Sequence, residues 1–264
     1  MMSVLLLRST QANSSPDKYQ QVFSSASINI ESTSPIGFEF FDLDKLYESI
    51  QKPGDFSGII FSSPRTVQAV KLCIEQYSSL EEWSSSGLQV AWGRHPAFSV
   101  GTSTSSEAEN VGFQTVGADC GNAENLVQVI FEKIQPNEPP LLFPCGTLRR
   151  DVIPKSLESR GVKFTPCIVY KTCPEPRLKE NLEGYIKHHG RRPDAVVFFS
   201  PSGVQFSKTV LKELQIEPSN KCKFFAIGLT TEKAMLEHGL TVSGVAAKPN
   251  PESLLECITD TSVT

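Results

Sequence analysis

Val196-Val197-Phe198-Phe199-Ser200-Pro201-Ser202-Gly203 is the stretch on which the fold turns. A short run of β-branched and aromatic residues is broken by Ser-Pro-Ser-Gly, and the residues after it can be helical. That is a buried strand running into a helix start. Upstream, Ile59-Ile60-Phe61-Ser62-Ser63-Pro64-Arg65 has the same apolar run, the same Ser-Pro break and the same helix-like continuation. One such unit is a motif; two imply a duplicated architecture.

The likeness continues downstream. Gly101-x-x-Thr104 matches Gly228-x-x-Thr231, and Asn122-x-Glu124-x-Leu126 matches Asn250-x-Glu252-x-Leu254. The spacing between copies shortens after the Ser-Pro match because the first copy carries a polar stretch over 77–95, Ser-rich around Ser84-Ser85-Ser86. This stretch reads as a surface insertion, with Trp83 and Trp92 as isolated anchors. The first copy then continues to Leu141-Leu142-Phe143, whereas the second runs out of chain. Its missing strand is at the beginning, as Val4-Leu5-Leu6-Leu7. One domain is therefore predicted to be discontinuous, 1–36 plus 173–264, with the other, 37–172, inserted in it. The chain would cross twice, near 37–41 and 170–176, forming a two-stranded linker with a cleft between the domains.

Further strands are predicted at 28–30 and 162–170, and helices at 17–25, 43–50, 122–133, 149–160, 178–189 and 250–257. The segment 98–104 reads as a helix start and 259–264 as a disordered tail. Strands alternating with helices of about ten residues indicate the doubly wound α/β class, two similar flavodoxin-like parallel sheets.

With 264 residues, 39% hydrophobic and 20% charged, the composition is that of a soluble globular protein. No apolar run approaches the ~20 residues of a membrane span. Val4-Leu5-Leu6-Leu7 is too short for a signal-peptide core and lacks a basic flank, so a cytoplasmic protein is expected. Seven scattered cysteines without a Cys-x-x-Cys pair argue against a disulfide framework and against structural zinc. The sequon Asn13-Ser14-Ser15 has no meaning without a secretory route. A net charge of −4 with no basic stripe excludes general nucleic-acid binding.

Ligands of open parallel sheets bind beyond the carboxyl ends of the strands. The loops there would be Ser62-Ser63-Pro64-Arg65, Gly101-Thr102-Ser103-Thr104, Pro144-Cys145-Gly146-Thr147, Ser200-Pro201-Ser202-Gly203 and Gly228-Leu229-Thr230-Thr231. Their hydroxyls, glycines and backbone N–H groups suit carboxylates or phosphates. Ser and Thr are also the preferred N-cap residues, so each hydroxyl has an ordinary structural use. No Gly-x-Gly dinucleotide fingerprint, phosphate loop or Gly-x-Ser-x-Gly elbow is present. His188, His189 and His238 are placed at helix ends and His95 in the insertion. Tyr170 ends the last strand before the second crossing, where it is either a hydrogen-bond donor to a ligand or a half-buried aromatic stiffening the linker.

Six pieces, in order, resemble the uroporphyrinogen-III synthase family, most closely its animal form. They are Ile60-Phe61-Ser62-Ser63-Pro64-Arg65, Cys120-Gly121-Asn122-Ala123-Glu124, Leu141-Leu142-Phe143-Pro144-Cys145-Gly146, Val169-Tyr170-Lys171-Thr172, Phe199-Ser200-Pro201-Ser202-Gly203 and Ala226-Ile227-Gly228-x-Thr230-Thr231. The resemblance implies a lyase of haem biosynthesis with no metal and no cofactor. Its substrate would be the linear tetrapyrrole hydroxymethylbilane, handed on from the preceding pathway enzyme to a monomer. In the family reaction the terminal hydroxyl leaves, the azafulvene is attacked at a substituted position of the last ring, and a spiro intermediate rearranges to invert that ring. Tyr170 matches the tyrosine that assists departure of the hydroxyl. Thr104, Ser200 and Thr231 match cleft hydroxyls, and Ser63 is Ser200's counterpart in the repeat. Ser202 and Gly228 of the same loops, with Arg65 and Lys223 for acid side chains, complete the expected substrate-binding set. Leu229 stands where the family has proline, and Gly101-Thr102-Ser103-Thr104 replaces Gly-Asn-Ala-Thr. Two other readings stay open: a non-catalytic two-domain binder of a carboxylated small molecule, and a nucleotide-dependent flavodoxin-like enzyme.

Overall fold

The computed structural model describes residues 2–9, 17–148, 151–219 and 221–261. In chain order, β1 (Ser3–Leu7), α1 (Lys18–Ser25), β2 (Asn29–Thr33) and β3 (Ile36–Phe40) lead into α2 (Leu43–Ile50). β4 (Gly58–Phe61) and α3 (Pro64–Tyr77) follow, then two short helices, α4 (Leu80–Ser85) and α5 (Leu88–Trp92). Next come β5 (Ala97–Ser99), α6 (Thr102–Val111), β6 (Thr115–Val116), α7 (Ala123–Lys133), β7 (Leu141–Gly146), α8 (Val152–Ser159) and β8 (Phe164–Pro174). The remainder holds α9 (Leu178–His189), β9 (Ala195–Phe198), α10 (Pro201–Glu213), β10 (Lys223–Ala226), α11 (Leu229–Glu237), β11 (Gly244–Val245) and α12 (Pro251–Asp260).

The chain divides into two units, Met1–Phe38 with Cys173–Thr264, and Glu39–Thr172. The first has a five-stranded sheet in the order β11-β10-β9-β1-β2, parallel throughout. The second has a six-stranded sheet in the order β3-β8-β7-β4-β5-β6, in which the pairings from β8 to β6 are parallel. Both are doubly wound α/β sheets, as the sequence leads one to expect. Strands such as Ala195–Phe198 and Gly58–Phe61 are buried at every residue because helices cover both faces. The period of two still sorts their side chains. Val196 and Phe198 pack with Leu5, Leu7 and Phe224 under α9, α10 and α11, whereas Ala195 and Val197 pack with Val4, Leu6 and Phe225 under α1 and α12. In the second unit Ile59 and Phe61 face one cluster and Ile60 the other.

The repeated motifs prove to be helix starts. Asn122 and Asn250 are N-caps whose side chains accept from the N–H groups of Asn125 (2.8 Å) and Ser253 (2.9 Å). Glu124 and Glu252 lie in the first turn, where the helix dipole favours a carboxylate, and Leu126 and Leu254 are fully buried. Pro64 and Pro201 open α3 and α10, at a position whose N–H would have no helical partner.

Several expectations are corrected. The helix expected to start within 98–104 is α6, which begins only at Thr102, and the residues before it, Ala97–Ser99, form the unexpected strand β5, paired with β4. The stretch over 77–95 is more than a surface insertion. Trp83 and Trp92 are buried in the core and their indole N–H groups donate to the carbonyls of Val111 and Ile50, both at 2.8 Å. Gly146 belongs to β7 rather than to the turn after it. The tail expected to be disordered from 259 is helical to Asp260, with 262–264 outside the described residues. The sequon at Asn13 and the helix start expected at 149 also fall outside them. The two-residue strands β6 and β11 have no counterpart in the sequence reading.

Candidate active site at the carboxyl edges

Because each sheet is parallel, its strands all release their loops at one edge. In the second unit β4 ends at Phe61 and delivers Ser62 and Ser63, while β7 and β8 bring Gly146 and Tyr170 side by side. The register there slips: Cys145 pairs with Ile168 but Gly146 with Tyr170, so Val169 is an additional residue in β8. Such a bulge re-aims the side chain beyond it. The Tyr170 hydroxyl comes to 3.4 Å from Ser63 Oγ, and the Tyr170 carbonyl accepts from the Thr147 N–H at 3.0 Å. Ser62, Ser63, Gly146 and Tyr170, together with Asn122 and the 82% exposed Leu148, line a cavity of about 350 Å³. Arg65 is on the first turn of α3, where its guanidinium donates to Gln68 Oε1 at 3.1 Å and lines a separate groove with Lys71 and Glu107.

The first unit presents its own edge. Ser200 caps α10, its hydroxyl accepting from the Gly203 N–H at 3.1 Å, and Ser202 is half-buried in the first turn. Gly228 precedes α11 in fully extended backbone, φ 178°, and a Cβ built on it would meet nothing within 4 Å. Its repeat counterpart Gly101 is different: φ is +82°, a left-handed value that favours glycine. Thr104 and Thr231 occupy matching places in α6 and α11, only 2% and 3% exposed, so their side chains are packed inward rather than displayed.

Lys223 is not brought to this edge. It is the first residue of β10, at the amino end of the sheet beside Ala195, and its ammonium donates to the Thr261 carbonyl. Conversely, Arg8 follows β1 directly at the carboxyl edge. Its guanidinium is paired with Asp17 and lies over the rings of Tyr19 (4.5 Å) and Phe199 (5.7 Å). Its signal in the sequence is a cation immediately after the first buried strand, which the repeat comparison passed over. Asn122 and Leu148 were likewise missed as lining residues, Asn122 because its motif reads as a helix start, whereas Gly146 lies in the ligand loop 144–147 expected from the sequence.

Three of the thiols are poorly suited to act as nucleophiles. Burial pushes Cys73 and Cys222 up to about 12 and Cys167 to about 11, so these sulfurs stay protonated at neutral pH. Among the described residues no three His, Cys, Asp or Glu side chains are grouped to hold a metal ion, and no helix is long and apolar enough to cross a membrane. The chemistry on offer is that of hydroxyls, a phenol and helix N–H groups.

The class so defined is a two-unit, doubly wound α/β protein with hydroxyl-bearing loops at the carboxyl edge of each sheet. Residues 17–256 match the family model described as uroporphyrinogen-III synthase HemD. The chain belongs to the uroporphyrinogen-III synthase family. It is 31% identical over 215 residues to a uroporphyrinogen-III synthase of Saccharomyces cerevisiae, a match covering 76% of this chain and 74% of that one. The fold is similar to the crystal structure of uroporphyrinogen-III synthetase from Helicobacter pylori, with a TM-score of 0.57, 15% identity and all of both chains covered.

Proposed function

We propose that this chain is the lyase that closes hydroxymethylbilane to uroporphyrinogen III, with loss of water and inversion of ring D, in haem biosynthesis. The observation that carries the reading is the cavity in the second unit where the Tyr170 phenol stands beside Ser63. The leaving hydroxyl departs with the push of the pyrrole nitrogen, and the Tyr170 phenol donates a hydrogen bond to its oxygen. The remaining task is to hold a flexible polyanion in the one geometry that closes with inversion, and positioning alone can supply about 7–11 kcal/mol of a barrier. Helix N-termini and the hydroxyls of Ser63, Ser200 and Ser202 suit its acetate and propionate groups, with Gly228 leaving room for close approach and Arg65 supplying a cation. Thr104 and Thr231 support these loops from within. The two units act as separate domains in a cytoplasmic monomer supplied by the preceding enzyme.

The test is to incubate purified protein with hydroxymethylbilane and resolve the isomers. Uroporphyrinogen III should dominate; the I isomer alone, at the spontaneous rate, defeats the reading in favour of a carboxylate-binding module. Tyr170→Phe should lower kcat by about 10²-fold, the lower range for a positioned proton donor, with the far-ultraviolet spectrum unchanged.

A further inference from the structure

Ser63 and Ser200 are the same residue in the two copies of one motif, on nearly identical backbone: φ −165°, ψ 161° for Ser63 and φ −162°, ψ 157° for Ser200. Each precedes a proline that opens a helix. Their hydroxyls nevertheless do different things. Ser200 accepts the Gly203 N–H, as a helix-capping serine does. Ser63 makes no such cap and instead lies 3.4 Å from the Tyr170 hydroxyl.

The difference originates three residues on. A Cβ at Gly203 would lie 3.2 Å from Ser200 Oγ, so glycine leaves the capping hydroxyl its place. In the other copy that position is Thr66, fully buried, whose own hydroxyl donates to the Ser63 carbonyl at 2.6 Å. The Ser63 hydroxyl is thereby turned toward the sheet edge.

The phenol is bounded on its other side by Gly146. A Cβ there would come within 2.7 Å of two ring carbons of Tyr170 and 3.0 Å of its oxygen. Gly146 ends β7 without a left-handed φ, so a side chain there would displace the Tyr170 ring rather than strain the backbone. We infer that Ser63, by its hydroxyl, and Gly146, by its missing Cβ, are positioning residues that set where the Tyr170 phenol meets the substrate. This rests on the role given to Tyr170 above.

The experiment is a pair of double-mutant cycles with hydroxymethylbilane as substrate. Ser63→Ala and Gly146→Ala are measured in wild-type and Tyr170→Phe backgrounds, with thermal midpoints recorded throughout. Each single change should lower kcat by about tenfold, and that loss in kcat should not recur once the phenol oxygen is gone. Ser63→Thr, which keeps a hydroxyl, should recover most of the loss. An undiminished effect in the Tyr170→Phe background, or wild-type kcat in Ser63→Ala, overturns the inference. If Gly146→Ala does not fold, Ser63→Ala decides the matter, since it removes no helix cap. Wild-type turnover in Tyr170→Phe would instead sink the assignment of Tyr170, and this inference with it. An impaired Tyr170→Phe beside unimpaired Ser63→Ala and Gly146→Ala sinks this inference alone.

Discussion

Glycine at 228 illustrates how a single residue separates folding from ligand approach. Its φ of 178° is open to any amino acid, and the space where a Cβ would sit is empty. Gly228→Ala should therefore leave the thermal midpoint within a degree or two of wild type or raise it slightly, by restricting the unfolded chain. If the Gly228 backbone is where a substrate carboxylate docks, the same change should raise KM several-fold. A midpoint and a KM both unchanged would remove Gly228 from the binding set. Gly101 offers no such clean test, because its φ of +82° makes any side chain strained. The two glycines look equivalent in the repeated Gly-x-x-Thr pattern, yet only backbone geometry distinguishes them. Lys223 shows the same limit. Near the motif Ala226-Ile227-Gly228 it resembles a binding cation, but four residues of extended strand carry it to the other end of the sheet.

At the scale of elements the asymmetry of the two caps becomes a stability prediction. Ser200→Ala removes a real cap on α10 and should cost about 1 kcal/mol, whereas Ser63→Ala removes none and should cost much less. Denaturant titration of the two variants would check this; equal losses would mean that Ser63 caps α3 after all. Helices α4 and α5 give a second prediction. Trp92 is fully buried against Phe56 and Phe113, and its indole N–H is satisfied by the Ile50 carbonyl. Trp92→Ala should cost about 3–5 kcal/mol by urea unfolding, an outcome foreign to a dispensable surface loop. Strand-to-helix transitions were legible because an apolar run, a capping side chain and an N1 proline or a first-turn acid all agree there, as at Phe61–Pro64 and Asn250–Glu252. β5 was not: in three residues, one large apolar side chain, Phe98, cannot establish a period. The short β6 and β11 are held by their neighbours in the sheets and carry no local signal. Ser84-Ser85-Ser86 concealed the insertion's helices, since serine is a weak helix former and here its hydroxyls bond back to carbonyls of the preceding turn. The bulge at Val169 is equally silent in sequence, and the Tyr170 geometry depends on it.

For the whole molecule, the order of the pieces carried more information than any one of them. The doubly wound class and the family were both readable from a chain whose individual motifs are weak. What could not be read was which hydroxyls are displayed: Thr104 and Thr231 are packed inward although their motif places them beside Gly101 and Gly228. Each unit has its own pair of apolar clusters, one on either face of its sheet. The chain has two tryptophans, and both, Trp83 and Trp92, lie in the unit spanning Glu39–Thr172. Nature has thus left an optical label on one half of the protein. Emission from the indoles should redshift only when that half melts, while far-ultraviolet circular dichroism follows the helices of both. In guanidinium the two curves should separate, and superimposable curves would mean that the halves melt as one.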